Sequence, residues 1–255
     1  MALIPLVHPE RPKPRLKPFT ALSRMQKLIN NKEDTEQVFH IIEALNGDHL
    51  LKELEAFRAT ENGRARIEER RALAPLLDNH DWIRDLPEGT VGRAYIRFME
   101  AEGLSAEGLV AESDKFHSKR YDDLVEWFGN RKRDTHDLFH VLSGYGRDAL
   151  GEASLLAFTH GQAGGGRGVI FIAFMGCRQI RKSLPRHIDV MACYREGREN
   201  GASACKIVEQ DILALMEEPL DAARARLGIA KPVAYRKALA EIRQLMDAEA
   251  LMAPA

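Results

Sequence analysis

Four side chains in the middle of the chain have the types and spacing to hold a divalent metal ion: His136, Asp137, His140 and Glu152. A helix advances about 100° and about 1.5 Å per residue, so His140 lies about 40° round from His136 and Asp137 about 100° round. All three project from one side of the helix, and two imidazoles at i and i+4 can offer nitrogens to one ion. Glu152 follows twelve residues after His140, which on an unbroken helix would put it roughly 18 Å away, too far to share that ion. Between them stands Ser143-Gly144-Tyr145-Gly146. Glycine tolerates the left-handed backbone that ends helices, so this segment predicts a break. A second helix starting near Asp148 could then fold back and return Glu152 to the histidines.

A lone His-x-x-x-His is more often a pair of ordinary surface or core histidines. Here the adjacent aspartate, the glycine break and the following glutamate sit within an apolar run that includes Leu138, Phe139, Val141 and Leu142, and together they favour the metal. Two nitrogens, one or two carboxylates and an open position suit zinc, iron(II) or manganese. Asp137 is either a ligand or the group that fixes a histidine tautomer.

The elements that must position these residues read as helices. Residues 1–17 carry four of the eleven prolines and predict an extended, proline-rich arm. Helical spacing then joins Leu22, Met25 and Leu28-Ile29, and after them Val38, Ile41-Ile42 and Leu45, with Gly47 as a stop. Leu86-Pro87-Glu88-Gly89 is turn chemistry. Thr90 suits an N-cap for a helix with Val91, Ala94-Tyr95 and Phe98-Met99 on one face. Ala153 to Phe158 is helix-prone and is expected to stop at the run His160-Gly161-Gln162-Ala163-Gly164-Gly165-Gly166, whose three consecutive glycines predict a loop. Val169 to Cys177 could be a buried strand or a buried helix, and with no partner strand in view it reads as helix. Cys205 to Met216, Leu220 to Leu227 and Val233 to Leu251 read as helical. The expectation is an all-α fold in which residues 18–255 form a single multi-helix domain carrying the motif at 136–152.

Composition narrows the function classes. The chain has 255 residues and a net charge of −1, so no overall basic field recruits nucleic acid, although a local patch could still act. Cys177, Cys193 and Cys205 form no CxxC and read as buried or half-buried thiols in a reducing compartment. The longest apolar run, Val169 to Cys177, is nine residues interrupted by Gly176, roughly half of what a membrane span needs. The N-terminus lacks the pattern of a secretory signal. The expected location is cytoplasmic or against a membrane face.

The run His136-Asp137-x-x-His140, eleven residues, then Glu152 resembles the signature of the coenzyme Q (ubiquinone) biosynthesis family called Coq-four. Leu86 to Tyr95 is similar to the family's upstream Leu-Pro-Glu-Gly block, Leu150-Gly151-Glu152 to its Leu-Gly-Glu, and Leu220 to Ile229 to its C-terminal block. The likeness covers roughly residues 34–232. The proline-rich arm and the Gly164–Gly166 insertion depart from it, and nothing is carried onto that loop.

The resemblance implies a helical fold, a homodimer, and an apolar channel for a polyprenyl chain beside a motif-bound metal ion, zinc ahead of iron(II), manganese or cobalt. It implies peripheral association with the inner membrane, alongside other ubiquinone biosynthesis enzymes. It also implies oxidative decarboxylation of a polyprenylated aromatic quinone precursor, a 4-hydroxybenzoate whose carboxylate at ring carbon 1 is replaced by hydroxyl. His136, Asp137, His140 and Glu152 would be both metal ligands and catalytic residues. Leu155-Leu156, Phe158 and Val169 to Met175 supply apolar surface for the channel or simply a core. Two alternatives compete: a non-catalytic prenyl-lipid scaffold pinned by the ion, and a metal phosphohydrolase, which would need further ligands from His49, His80 or His117.

Overall fold

The computed structural model describes residues 4–31, 34–116 and 119–252. The chain folds as helices throughout: α1 (Pro18–Asn30), α2 (Thr35–Asn46), α3 (His49–Ala59), α4 (Glu61–Glu69), α5 (Ala74–Leu77) and α6 (His80–Asp85). Then come α7 (Val91–Glu102), α8 (Ala106–Phe116), α9 (Leu124–Asp134), α10 (His136–Ser143) and α11 (Ala149–Ala163). The C-terminal part holds α12 (Arg167–Ser183), α13 (Val190–Ser203), α14 (Ile212–Glu217), α15 (Leu220–Leu227) and α16 (Val233–Met252). Among the described residues no strand forms, and the β pairing present is an isolated bridge between Thr90 and Pro219.

Local sequence explains the helix boundaries. Thr90 caps α7 by accepting from the Arg93 amide at 3.3 Å, and Asp123 caps α9 by accepting from the Glu126 amide at 2.8 Å. Such caps satisfy amides that the first turn of a helix leaves without partners. Gly103, Gly144, Gly164 and Gly228 end α7, α10, α11 and α15 in the left-handed region.

Three sequence expectations are corrected. The helix through Ala153 continues past His160-Gly161 to Ala163, because Gly161 lies in close helix–helix contact rather than at an end. A Cβ there would sit 2.4 Å from the Arg198 carbonyl oxygen. The stretch Cys205 to Met216 is a short 3₁₀ turn at Ile207–Glu209 followed by α14, with Asp211 capping the second piece. Cys177 and Cys193 are buried, but Cys205 is exposed.

The main core gathers α7, α10, α11, α13, α14, α15 and the start of α16, with Tyr95, Leu138, Leu142, Tyr145, Leu155 and Phe158 at its centre. A second core forms where α1 and α2 meet α12: Ala21, Met25, Leu28, Ile41 and Ala44 pack around Ile172. A third, smaller one joins Leu54 and Phe57 to Val125 and Phe128.

α11 and α13 touch backbone to backbone. A Cβ at Gly197 would lie 2.4 Å from the Ser154 carbonyl oxygen, and one at Gly201 would lie 2.1 Å from that of Phe158. These two glycines, four residues apart, let α13 lie directly on the helix that carries Glu152. Gly→Ala in a free helix stabilises by about 1 kcal/mol. Gly201→Ala is expected to reverse that sign, because the methyl meets main chain that cannot rotate away. Urea unfolding should show a loss of about 1–3 kcal/mol.

Candidate metal centre

The motif spans the break that its glycines predict. α9 ends at Asp134, and α10 begins one residue later, after the fully buried Thr135, whose hydroxyl donates to the Arg131 carbonyl at 3.0 Å. α10 ends at Gly144, with φ 78°. The chain turns through Tyr145 and Gly146, and α11 starts under the Asp148 side chain, which accepts from the Leu150 and Gly151 amides at 3.2 and 3.1 Å.

This fold-back requires a glycine at 151. A Cβ there would lie 2.1 Å from the Gly146 carbonyl oxygen and 2.9 Å from the Gly146 nitrogen. Tyr235 of α16 locks the turn from outside: its hydroxyl donates to Asp148 Oδ2 at 2.5 Å and accepts from the Gly146 amide at 3.0 Å. Arg224 of α15 braces the other side, donating to the Val141 and Leu142 carbonyls at 2.9 Å each. These are C-terminal carbonyls of α10 that lack helical partners.

Three of the four motif side chains gather as a result, and the fourth, Glu152, meets one of them. One ligand atom each from His136, Asp137 and His140 lies within 4.8 Å of the others. The His136 and His140 rings stand perpendicular with centroids 5.2 Å apart. Glu152 Oε1 lies 3.5 Å from His140 Nε2.

His140 has its tautomer set from behind: Nδ1 donates to the Tyr145 carbonyl at 2.9 Å, which leaves Nε2 facing Glu152. A backbone acceptor on the rear nitrogen is the usual way a ligating imidazole is oriented. Phe98 of α7 stacks on the same ring at 5.2 Å and 25°. Arg147 flanks the site, with Nε 3.8 Å from Glu152 Oε1 and Nη1 3.4 Å from Glu102.

The electrostatics follow from these contacts. Burial disfavours a charged His140, but the hydrogen bond and charge of Glu152, with the Tyr145 carbonyl, outweigh it and hold the imidazole above its ordinary value. Burial likewise opposes the Glu152 charge, and His140 overcomes it, so that carboxyl is held below the usual range. His136 is pushed down, first by burial and then by the neighbouring His140. Asp137 is buried beside them.

This donor set fits a divalent ion. Two imidazoles and the Asp137 carboxylate converge, one imidazole is oriented through its rear nitrogen, and the Glu152 carboxylate, on a side chain 35% exposed, lies against that same imidazole. The Tyr95 hydroxyl of α7 adds a further sign. Tyr95 is fully buried, its oxygen has no hydrogen-bond partner, and Asp137 is the carboxylate it feels most strongly. Buried donors are seldom left so, and a ligand or water at the site would satisfy this one.

The other histidines weighed for metal chemistry stand apart from this group. His49 lies 3.8 Å from Glu53, and His80 lies 3.7 Å from Asp78, while His117 is outside the described residues. Phe98, Tyr95, Arg147 and Tyr235 carried no metal-site signal in the sequence. The first two appeared only as the apolar face of a helix.

The family is decided by comparison with known proteins. The model of the coenzyme Q (ubiquinone) biosynthesis protein Coq4 family matches residues 17–233. The chain belongs to the Coq4 family. Among its relatives are the mitochondrial ubiquinone biosynthesis protein COQ4 of Candida tropicalis, 26% identical over 78% of this chain and 60% of that protein. The Bos taurus COQ4 homologue is 30% identical over 59% of this chain and 54% of that protein, and the Rattus norvegicus homologue 27% over 76% and 71%. The chain thus spans little more than half the length of the first two. A crystal structure of a Nostoc punctiforme protein, provisionally assigned to ubiquinone biosynthesis, superposes with a TM-score of 0.65. It covers 85% of this chain and all of its own at 23% identity, a likeness of fold. Membership of the Coq4 family places the chain in ubiquinone biosynthesis.

The raised His140 value yields a test in metal-free protein. Replacing Glu152 by Gln removes the strongest of the influences that oppose burial and leaves only the Tyr145 carbonyl and the Asp137 charge against it. The His140 imidazole should then lose its proton at a lower pH than in the native chain. An NMR titration of its ring protons reads this directly, and an unshifted midpoint would contradict the contact.

Proposed function

We propose that this Coq4 chain is a metal-dependent oxidative decarboxylase acting on a polyprenyl-4-hydroxybenzoate-type precursor. Carrying the reading is one observation: the Glu152 carboxylate returns to 3.5 Å from Nε2 of His140, the imidazole that groups with His136 and Asp137. His136, His140 and Glu152 would hold the ion, with Asp137 as the fourth ligand or as acceptor of the ring-hydroxyl proton. A bound divalent ion, zinc ahead of iron(II), manganese or cobalt, supplies Lewis acidity toward the substrate's carboxylate or phenolate. At ring carbon 1 the bond to the carboxyl carbon breaks and one to oxygen forms. Carbon dioxide leaves; dioxygen brings the oxygen atom, and its second atom leaves as water with two electrons and two protons from a donor outside the chain.

The protein's own side chains would do the positioning. Arg147 offers a cation at the open edge of the site, suited to an anionic substrate. Phe98 excludes water from one face of His140. The prenyl tail would take an apolar channel along α11 and α12. Leu156 lies one helical turn beyond Glu152, and with Phe171 and Met175 it is only half covered where it borders the second core. Leu155 and Phe158, counted toward that channel from sequence, are fully buried in the main core. The reading includes a homodimer working with other ubiquinone biosynthesis enzymes, peripherally on the cytoplasmic face of the inner membrane. No helix among the described residues is long and apolar enough to cross a membrane.

Purified chain loaded in turn with zinc, iron(II), manganese and cobalt should release carbon dioxide from a 3-polyprenyl-4-hydroxybenzoate analogue with one of them. Glu152→Ala should stay folded while metal affinity drops about 10–100-fold or more and turnover is lost. Silence with all four metals sinks the decarboxylase. A Glu152→Ala chain that still restored quinone synthesis would favour the prenyl-lipid scaffold instead.

A further inference from the structure

The segment leading into α1 has a charge pattern unlike the rest of the chain. From Arg11 to Asn31 the sequence holds six cations, Arg11, Lys13, Arg15, Lys17, Arg24 and Lys27, and no carboxylate, whereas the whole chain carries −1. Among the described residues only Arg11 of these six is ion-paired, to Asp123 at 2.7 Å and to Glu126 at 3.7 Å. Arg24 reaches Gln37 at 3.1 Å, and the side chains of Lys13, Arg15, Lys17 and Lys27 meet no carboxylate among the described residues.

Large apolar side chains stand out between these cations. Leu16 is 52% exposed, Phe19 85% and Leu22 55%. Every residue from Pro12 to Thr20 is exposed. On α1 the buried positions are Ala21, Met25 and Leu28. At about 100° per residue, Phe19 lies about 150° from the centre of that buried face, and Leu22 lies between them, about 60° from Phe19 and about 60° from Met25. With one face in the second core and Phe19 and Leu22 uncovered beside it, the helix has two apolar sides, of which the protein covers one; the cations near them are Lys13, Arg15 and Lys17 in the segment before it and Lys27, about 80° round from Phe19.

The strap is also held in place. Arg11 is tied to Asp123, and the Lys17 amide donates to the Ala44 carbonyl at 2.7 Å. Prolines at 12, 14 and 18 remove amide donors and keep it from pairing as a strand.

We infer that residues 12–22, with Lys27, form a docking face for a bilayer rich in anionic lipid. Phe19, Leu16 and Leu22 enter the headgroup region, and Lys13, Arg15 and Lys17 meet lipid phosphates. Charge complementarity chooses this occupant. Cations of one sign interleaved with apolar side chains match a surface that is both anionic and apolar at shallow depth. The inference rests on the peripheral-membrane part of the proposed function and adds which surface makes the contact. It also joins that surface to the chemistry. The inner face of α1 packs in the core bordered by Leu156, Phe171 and Met175, so a docked α1 holds the proposed prenyl path close to the lipid.

Co-sedimentation of the full chain with vesicles tests this. Phosphatidylcholine containing phosphatidylglycerol should retain the protein, and phosphatidylcholine alone should retain far less. The double change Lys13→Glu with Lys17→Glu should weaken retention by about tenfold or more, as should Phe19→Ser with Leu22→Ser, both with native helicity and metal binding. Equal binding to both vesicle types, or native retention by the charge-reversed chain, overturns the proposal. So does loss of self-association in the Phe19→Ser, Leu22→Ser chain with vesicle binding intact, which would assign this face to a second copy. A wild-type chain that binds anionic vesicles but no metal would instead sink the decarboxylase.

Discussion

The structure turns on one close backbone approach, that of Gly151 to Gly146. With any side chain at 151 the first turn of α11 would have to withdraw from the end of α10, because the nearest atoms are main chain. Without that contact Glu152 would be carried away from His140, and the eleven residues between them would separate the ligands instead of joining them. The surrounding packing serves this approach. Tyr235 clamps the turn through Asp148 and the Gly146 amide, Arg224 satisfies the terminal carbonyls of α10, and Gly197 and Gly201 press α13 against the far side of α11.

A buried array of two imidazoles and two carboxylates is costly to assemble, since each ionised member loses hydration. Here the cost is offset pairwise. His140 and Glu152 each oppose the other's burial, which raises the imidazole's proton affinity and lowers the carboxylate's. His136 is driven toward the neutral form, first by burial and then by the neighbouring His140, and the neutral form is the one that ligates. His140 and Glu152 lie within ion-pair distance of each other. A cation competes with protons for the His140 imidazole, so its binding is linked to pH: weaker as pH falls and the imidazole takes up its proton.

Much of this was legible in the residues alone. The i, i+4 histidines, the glycine break and the N-capping Asp148 are local signals, each acting within a few residues of itself, and they specified the helix ends around the motif. Long-range contacts were not legible. Nothing about Tyr95 or Phe98 distinguishes a core aromatic from one stacked on a ligating imidazole, because both uses demand the same spacing on α7. Gly161 illustrates the limit from the other side. Read locally, it opens a glycine-rich run that looks like a stop from its first residues. In the fold it is the point where α13 comes too close for a side chain, so the helix runs on to Ala163 and ends at Gly164.

The same limit explains why the basic strap escaped notice. Net charge averages over the chain, and Arg11 to Asn31 contributes six cations to a total that is nearly neutral. The prolines marked the segment as extended, but extension alone does not say whether its Leu and Phe are covered. Only the packing of α1 answers that, since Met25 and Leu28 occupy the second core and leave Phe19 on the outer side. One short helix thus borders both the core from which the proposed prenyl path leads to Glu152 and the outer surface suited to lipid. A substrate with an apolar tail and a charged head could reach the metal-ligand cluster along such a path without its tail entering bulk water, which is the main free-energy obstacle to moving a polyprenyl compound between a membrane and a protein site.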